Sequence, residues 1–180
     1  MIEQFLSKTP KIPHSVFIAP GAKILGDVEI GEDCSIWFNA VLRGDVNLIR
    51  VGRRTNIQDG AIVHVTFKKH STVIGHDVTV GHGAILHGCT IKDHVLIGMG
   101  AKVLDGAVIG RNSVIAAGAV VKEGYEVPEK TLMAGVPAKP MRPLREEEIQ
   151  AIEQSAERYI QYAETYRKMR IIEQMENDNL

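Results

Sequence analysis

The sequence predicts a mainly β fold: a parallel β-helix of six-residue strands wound into a triangular prism, followed by a C-terminal α-helix. Three observations predict it. Branched aliphatic residues recur at every sixth position through most of the chain. Small residues follow them at a fixed offset. Both patterns stop at a cluster of prolines, after which apolar residues recur at helical spacing.

The six-residue count runs through Ile18, Ile24, Ile30, Ile36 and Leu42, then Val51, Ile57 and Val63, then Ile74, Val80 and Leu86. It resumes at Ile91 and continues through Ile97, Val103, Ile109, Ile115, Val121, Val127 and Met133. Ala22, Cys34, Ala40, Thr55, Ala61, Ala84, Ala101, Ala107, Ser113 and Ala119 each fall four residues after such a position. Neither a helix nor an alternating strand has this period. In a prism the branched residue points inward and the small one packs near a corner. Three faces then make a coil of about eighteen residues, and coils stack at about 4.8 Å.

The count slips between Leu42 and Val51, between Val63 and Ile74, and between Leu86 and Ile91. The first two slips read as insertions at corners, where functional groups gather on a regular scaffold. Cys34 and Cys89 read as packing residues. Residues 1–143 form the β-helix domain and end at Pro137, Pro140 and Pro143. Residues 144–180 form the helix. Its stripe of Ile149, Ile152, Tyr159, Ala163, Tyr166 and Met169 packs on the prism or on a neighbouring subunit. The tail "ENDNL" is expected to fray.

Composition excludes several functions. A net charge of −1 gives no electrostatic case for nucleic acid or an anionic membrane. Two cysteines are too few for a disulfide framework. The start "MIEQFLSKTPKIP" lacks a signal-peptide pattern, and no apolar run is long enough for a bilayer, so a cytoplasmic location is expected.

Five of the seven histidines fall between Asp59 and Ile91. If the insertions only lengthen corners, faces three apart stack. Arg43, His64 and His87 then share one column, and Asp59 and His82 share another on a different face. His64 and His87 lie one strand spacing apart and can reach one metal ion. His82 can join them only from an adjacent prism, which predicts a cyclic homotrimer with each metal site shared by two subunits. Arg43 and Asp59 would meet across that seam as an ion pair. Three neutral imidazoles leave a tetrahedral ion one position open for water, the catalytic pattern. His14, His70, His76 and His94 lack matched partners and read as surface or loop residues.

The segments "RGDVNLIRVGRRTNIQDGAIVHV", "VGHGAILHGCTIKDHVLIGMGA" and "AGVPAK" resemble the gamma-class carbonic anhydrase-like proteins, hexapeptide-repeat trimers. The resemblance covers about Ile18 to Arg142. It implies a left-handed β-helix, and Zn2+, Fe2+ or Co2+ held by His64, His82 and His87. It also implies an intersubunit pair of Arg43 with Asp59, a seam role for Asp45, and Gln58 and Asn56 near the reacting water. Tyr159 is implied to approach the metal. The activity implied is that of a lyase in which metal-bound hydroxide attacks CO2 to give bicarbonate. Two departures stand out: Val46 replaces an acidic residue, and the segment "VTFKKHST" replaces a long glutamate-rich loop. The proton-shuttling glutamate therefore has no counterpart, and slow proton export is expected. The alternatives are an acyl-CoA-related acyltransferase or thioesterase, and a non-catalytic trimeric scaffold.

Overall fold

The computed structural model describes residues 1–177, with side chains as far as residue 169. Its strands are mostly two residues long and pair in parallel with the strand one coil away. The period-six residues form a single filled core. Ile24, Ile36, Leu42, Ile57, Val63, Val80, Leu86, Ile97, Val103, Ile109, Ile115 and Met133 are fully enclosed. Of the whole period-six series only Ile18, in the first coil, is part-exposed. The small residues pack beside them: Ala22, Ala40, Ala61, Ala84, Ala101, Ala107 and Ser113 have no exposed surface. Cys34 and Cys89 are buried, and burial pushes both thiols up to about 12. Both cysteines are packing residues.

The ladders form two sheets. One face carries Phe17–Ile18, Ser35–Ile36, Asn56–Ile57, Thr79–Val80, Leu96–Ile97, Val114–Ile115 and Thr131–Ala134, closed by the antiparallel strand Lys139–Pro143. The other two faces form one eleven-stranded sheet because strand Val41–Val51 pairs with both. The first insertion therefore takes a form other than a corner loop. Residues 41–42 stay paired with 62–63, and 49–51 with 72–74. The extra residues between them are absorbed as a bulge against Lys23–Ile30, where Gly26 pairs with Gly44 but Val28 already pairs with Ile49. The second insertion is a short turn in which Thr66 and His70 bridge antiparallel.

The last strand ends at Pro143 and the helix α1 spans Glu146–Asn177. The backbone N–H of Arg145 donates to the carboxylate of Glu148 at 2.9 Å, a cap at the first turn. Arg142 grips the same carboxylate at 2.7 and 2.8 Å. Helix α1 lies on its own prism, across the first face. Ile149, Ile152, Ser155, Ala156 and Ala163 are buried there. Tyr166 is half-exposed but sets its ring edge-on to Trp37 at 5.4 Å. Met169 is exposed within the chain. Residues 176 and 177 continue the helix, and 178–180, the rest of the tail expected to fray, lie outside the described residues. No helix among the described residues is long and apolar enough to cross a membrane.

Each coil turns its corners through a left-handed residue. One corner uses Asp33, Arg54, Asp77, His94, Asn112 and Lys130, with φ of 54–58°. Other corners use glycine, as at Gly124, where φ is 64° and an added Cβ would meet nothing within 4 Å. Gly52 is the opposite case: an added Cβ would lie 2.6 Å from the carbonyl oxygen of Gly75 in the next coil. Gly124→Asn is therefore expected to change stability by no more than about 0.5 kcal/mol. Gly52→Ala should cost about 1–3 kcal/mol by overpacking. Urea unfolding of the two variants checks the contrast, and an equal loss in both would refute it.

Candidate metal centre

The site is laid out by coil register. The Cα positions of His64 and His87 are direct partners on adjacent coils. Arg43 follows Leu42, which pairs with Val63, so it stands one coil below His64. On the neighbouring face Ile57 pairs with Val80, which brings Asp59 beneath His82.

Each of the three histidines has one ring nitrogen engaged by its own carboxylate. His64 Nε2 lies 3.1 Å from Asp45 Oδ1, His82 Nδ1 lies 2.7 Å from Asp59 Oδ2, and His87 Nδ1 lies 2.6 Å from Asp105 Oδ1. An ionised carboxylate only accepts, so these ring nitrogens carry the protons. In neutral imidazoles the other nitrogens then present lone pairs. Two of these, His64 Nδ1 and His87 Nε2, face each other at 3.1 Å. Two lone pairs at that distance repel unless a proton or a cation lies between them. Two imidazole nitrogens on one tetrahedral zinc would stand about 3.3 Å apart. The donor set therefore fits a borderline-soft cation. A carboxylate on the far nitrogen is the usual arrangement behind a metal-ligating histidine.

The electrostatics favour the ligand form. Burial holds His64 below the ordinary imidazole range; the hydrogen bond to Asp45 opposes this, and Arg43 adds to it. Burial pushes Asp45 up, but hydrogen bonds from His64 and Arg43 outweigh it and hold the carboxyl below its usual range. Asp105 behaves alike: burial raises it, and bonds from Thr66 and His87 lower it further than burial raises it.

Arg43 forms its ion pair with Asp45 within the chain, while Asp59 holds His82. Among the described residues, no three His, Cys, Asp or Glu side chains of one chain converge to hold a metal. His82 stands on a separate face from the His64–His87 pair.

Asn56 and Gln58 are buried and belong to one chain of hydrogen bonds. Gln58 Nε2 donates to Asn56 Oδ1 at 3.0 Å, Asn56 Nδ2 donates to Thr79 Oγ1 at 2.9 Å, and Thr79 Oγ1 donates to Ser155 Oγ of helix α1 at 3.1 Å. This chain commits the amide nitrogen of Gln58 and leaves its oxygen as the acceptor. Gln58, His82 and Tyr159 line one groove of about 390 Å3, together with Leu96, Met99 and Ala116. Burial and the Asp59 carboxylate raise Tyr159, so its phenol stays a protonated donor. Its ring meets Trp37 edge-on at 5.4 Å.

The sequence reading missed Asp105, Thr79 and Ser155. One coil above, Leu104 is the residue in register with His87, and Asp105 is its neighbour, so a count by register alone passes it by. Two of the histidines read as surface or loop residues make contacts there: His76 Nδ1 accepts from the N–H of Arg53 at 3.0 Å, and His70 packs over Gly106 at 3.3 Å from where a Cβ would sit.

A profile described as Bacterial transferase hexapeptide (six repeats) matches residues 9–44 and 88–123. The chain is 47% identical over 164 residues to "Gamma carbonic anhydrase 2, mitochondrial" of Arabidopsis thaliana. That match takes in 88% of this chain, which spans only 59% of the length of the plant protein. It is 43% identical to "Carbonic anhydrase" of Geobacillus kaustophilus, over 94% of this chain and 92% of that one. The solved hexapeptide transferase family protein from Anaplasma phagocytophilum superposes with a TM-score of 0.87 at 45% identity, covering 91% of this chain and 96% of that one. The shared fold is the left-handed form of the hexapeptide β-helix, with about seven coils.

The buried amide chain yields a prediction independent of any metal. Thr79→Val removes the acceptor of Asn56 Nδ2 and leaves it only the carbonyl of Val78 at 3.4 Å. The variant should lose about 1–3 kcal/mol in urea unfolding, and an unchanged midpoint would show the chain to be unformed.

Proposed function

Because the chain belongs to the gamma carbonic anhydrase-like family of hexapeptide-repeat proteins, we propose that it is a metal-dependent lyase of the carbonic anhydrase type. It hydrates CO2 to bicarbonate at a Zn2+, Fe2+ or Co2+ centre shared between neighbouring subunits of a homotrimer. The observation that carries this reading is the set of three histidines, each with a carboxylate on one ring nitrogen and the other nitrogen left as a donor to a cation. His64 and His87 of one subunit and His82 of the next would hold the ion. When bound, it supplies water acidified enough to act as a nucleophile near neutral pH.

The chain's own residues do the rest. Gln58 Oε1 accepts a hydrogen bond from the attacking water and so orients it, because Asn56 holds the amide nitrogen. Tyr159 offers a neutral O–H donor on the same groove. Asp59 holds His82 with one oxygen, and its other oxygen is the partner we assign to Arg43 of the neighbouring subunit. Proton export is the weak step. The segment 65–72 carries Lys68 and Lys69 but no carboxylate, and Val46 adds none.

A second reading, acyl transfer or thioester hydrolysis, is favoured by one observation. The groove beside His82 runs along Leu96, Val114, Ala116 and Ala117 and is longer than CO2 requires. Stopped-flow CO2 hydration and acyl-CoA turnover on the same metal-loaded sample separate the two.

Two tests address the shared centre and the proton step. Homotrimers of His64→Ala or of His82→Ala should lose metal affinity by more than about 100-fold. Refolding the two variants together should restore metal at seams where intact His64 and His87 of one chain meet intact His82 of the other. A mixture of His64→Ala with His87→Ala should restore none, since both ligands come from one chain. Recovery in that second mixture would overturn the shared centre. In the wild type, raising the concentration of an imidazole buffer should increase the hydration rate with metal content constant. A rate indifferent to buffer would mean that a side chain already exports the proton.

A further inference from the structure

Resting on the metal reading above, we propose that Asp105 is a positioning residue. It fixes His87 in the tautomer with its proton on Nδ1, and the inserted segment 65–72 holds Asp105 in place through Thr66.

Both oxygens of Asp105 are committed. Oδ1 faces His87 Nδ1 at 2.6 Å, and Oδ2 accepts from Thr66 Oγ1 at 2.6 Å. The carboxylate can neither rotate nor slide without breaking one of two short bonds. Without it, a neutral imidazole distributes its proton over both nitrogens, and part of the population would turn an N–H toward His64. With it, the proton stays on Nδ1, and Nε2 is the nitrogen left to share a proton or a cation with His64 Nδ1.

Gly88 makes room for this bond. A Cβ there would collide with Oδ1 of Asp105 and lie 2.8 Å from the Cβ of His70. Thr66 is itself anchored: its N–H donates to the carbonyl of His70 at 2.8 Å, and its carbonyl accepts from Asn47 Nδ2 at 3.1 Å. At the other end of the segment, Thr72 Oγ1 donates to the carbonyl of His64 at 2.5 Å. The segment is thus tied to both histidines of the half-site, to His87 through Thr66 and Asp105, and to His64 through Thr72. It acts as a clamp on ligand geometry.

The test uses the intact protein labelled with 15N at histidine. In cation-free wild type, His87 Nδ1 should be protonated. In Asp105→Ala both nitrogens should move to averaged shifts, and Zn2+ affinity, read by competition with a chromophoric chelator, should fall about 10–100-fold. Asp105→Asn keeps an acceptor oxygen and should preserve the tautomer and most of the affinity. Thr66→Val should lower affinity in the same direction and less. Asp93→Ala, which breaks an ion pair with Arg111 elsewhere, should change neither readout. An unaltered His87 tautomer in folded Asp105→Ala would overturn the inference, as would equal losses in Asp105→Ala and Asp93→Ala. A wild type that takes up no cation, while its His87 tautomer still depends on Asp105, would support the positioning role and overturn the metal reading alone.

Discussion

The backbone ladder between successive coils places every group of the candidate centre. Ile62 N–H donates to Ala84 O at 2.8 Å and Gly88 N–H to His64 O at 3.1 Å, which sets residues 62–64 against 85–87. These bonds are short and repeat at every level, so their register is rigid. A slip by one residue would exchange inward and outward positions along a strand. It would expose Val63 and Leu86 and drive His64 and His87 into the core. The cost of unseating two fully buried aliphatic residues is what fixes the histidines' separation. The core therefore specifies the geometry of a surface site that it does not touch.

Much of this was legible in the sequence because a β-helix turns spacing directly into position. The period-six residues name the core, and counting faces in threes puts His64 beside His87 and Asp59 below His82. Legibility was lower where side chains choose among partners within reach: within the chain Arg43 lies against Asp45, two residues away on its own strand, a contact that the six-residue count does not mark. Asp105 was overlooked because it belongs to the coil above, diagonal to His87, and no repeat position marks it. The form of the first insertion was also hidden, since a bulge and a corner loop consume the same number of residues. On helix α1, Met169 has the apolar spacing but is exposed within the chain, whereas Ser155 and Ala156 are buried without being strongly apolar.

Helix α1 does more than cover a face. Ser155 ends the hydrogen-bond chain that starts at Gln58, and Tyr159 shares the groove with His82. Arg54 couples the helix to the prism through Glu157 at 3.0 Å while holding Asp77 at 2.7 Å. The orientation of one buried amide is thus settled by an element some hundred residues further along the chain, and polar groups in this face have partners assigned across two kinds of secondary structure.

A stack of identical coils carries no limit on its own length. Each completed turn ends in a row of unsatisfied donors and acceptors that could recruit another turn, or another molecule. Here the first face is finished by Lys139–Pro143, laid antiparallel on Thr131–Ala134. Pro140 and Pro143 in that strand have no N–H to give, and Lys139 and Arg142 add charge to the rim. Reversing the chain direction and withdrawing donors turns a growing edge into a terminus. On this face the device gives a stack of fibre-like repeats a definite end.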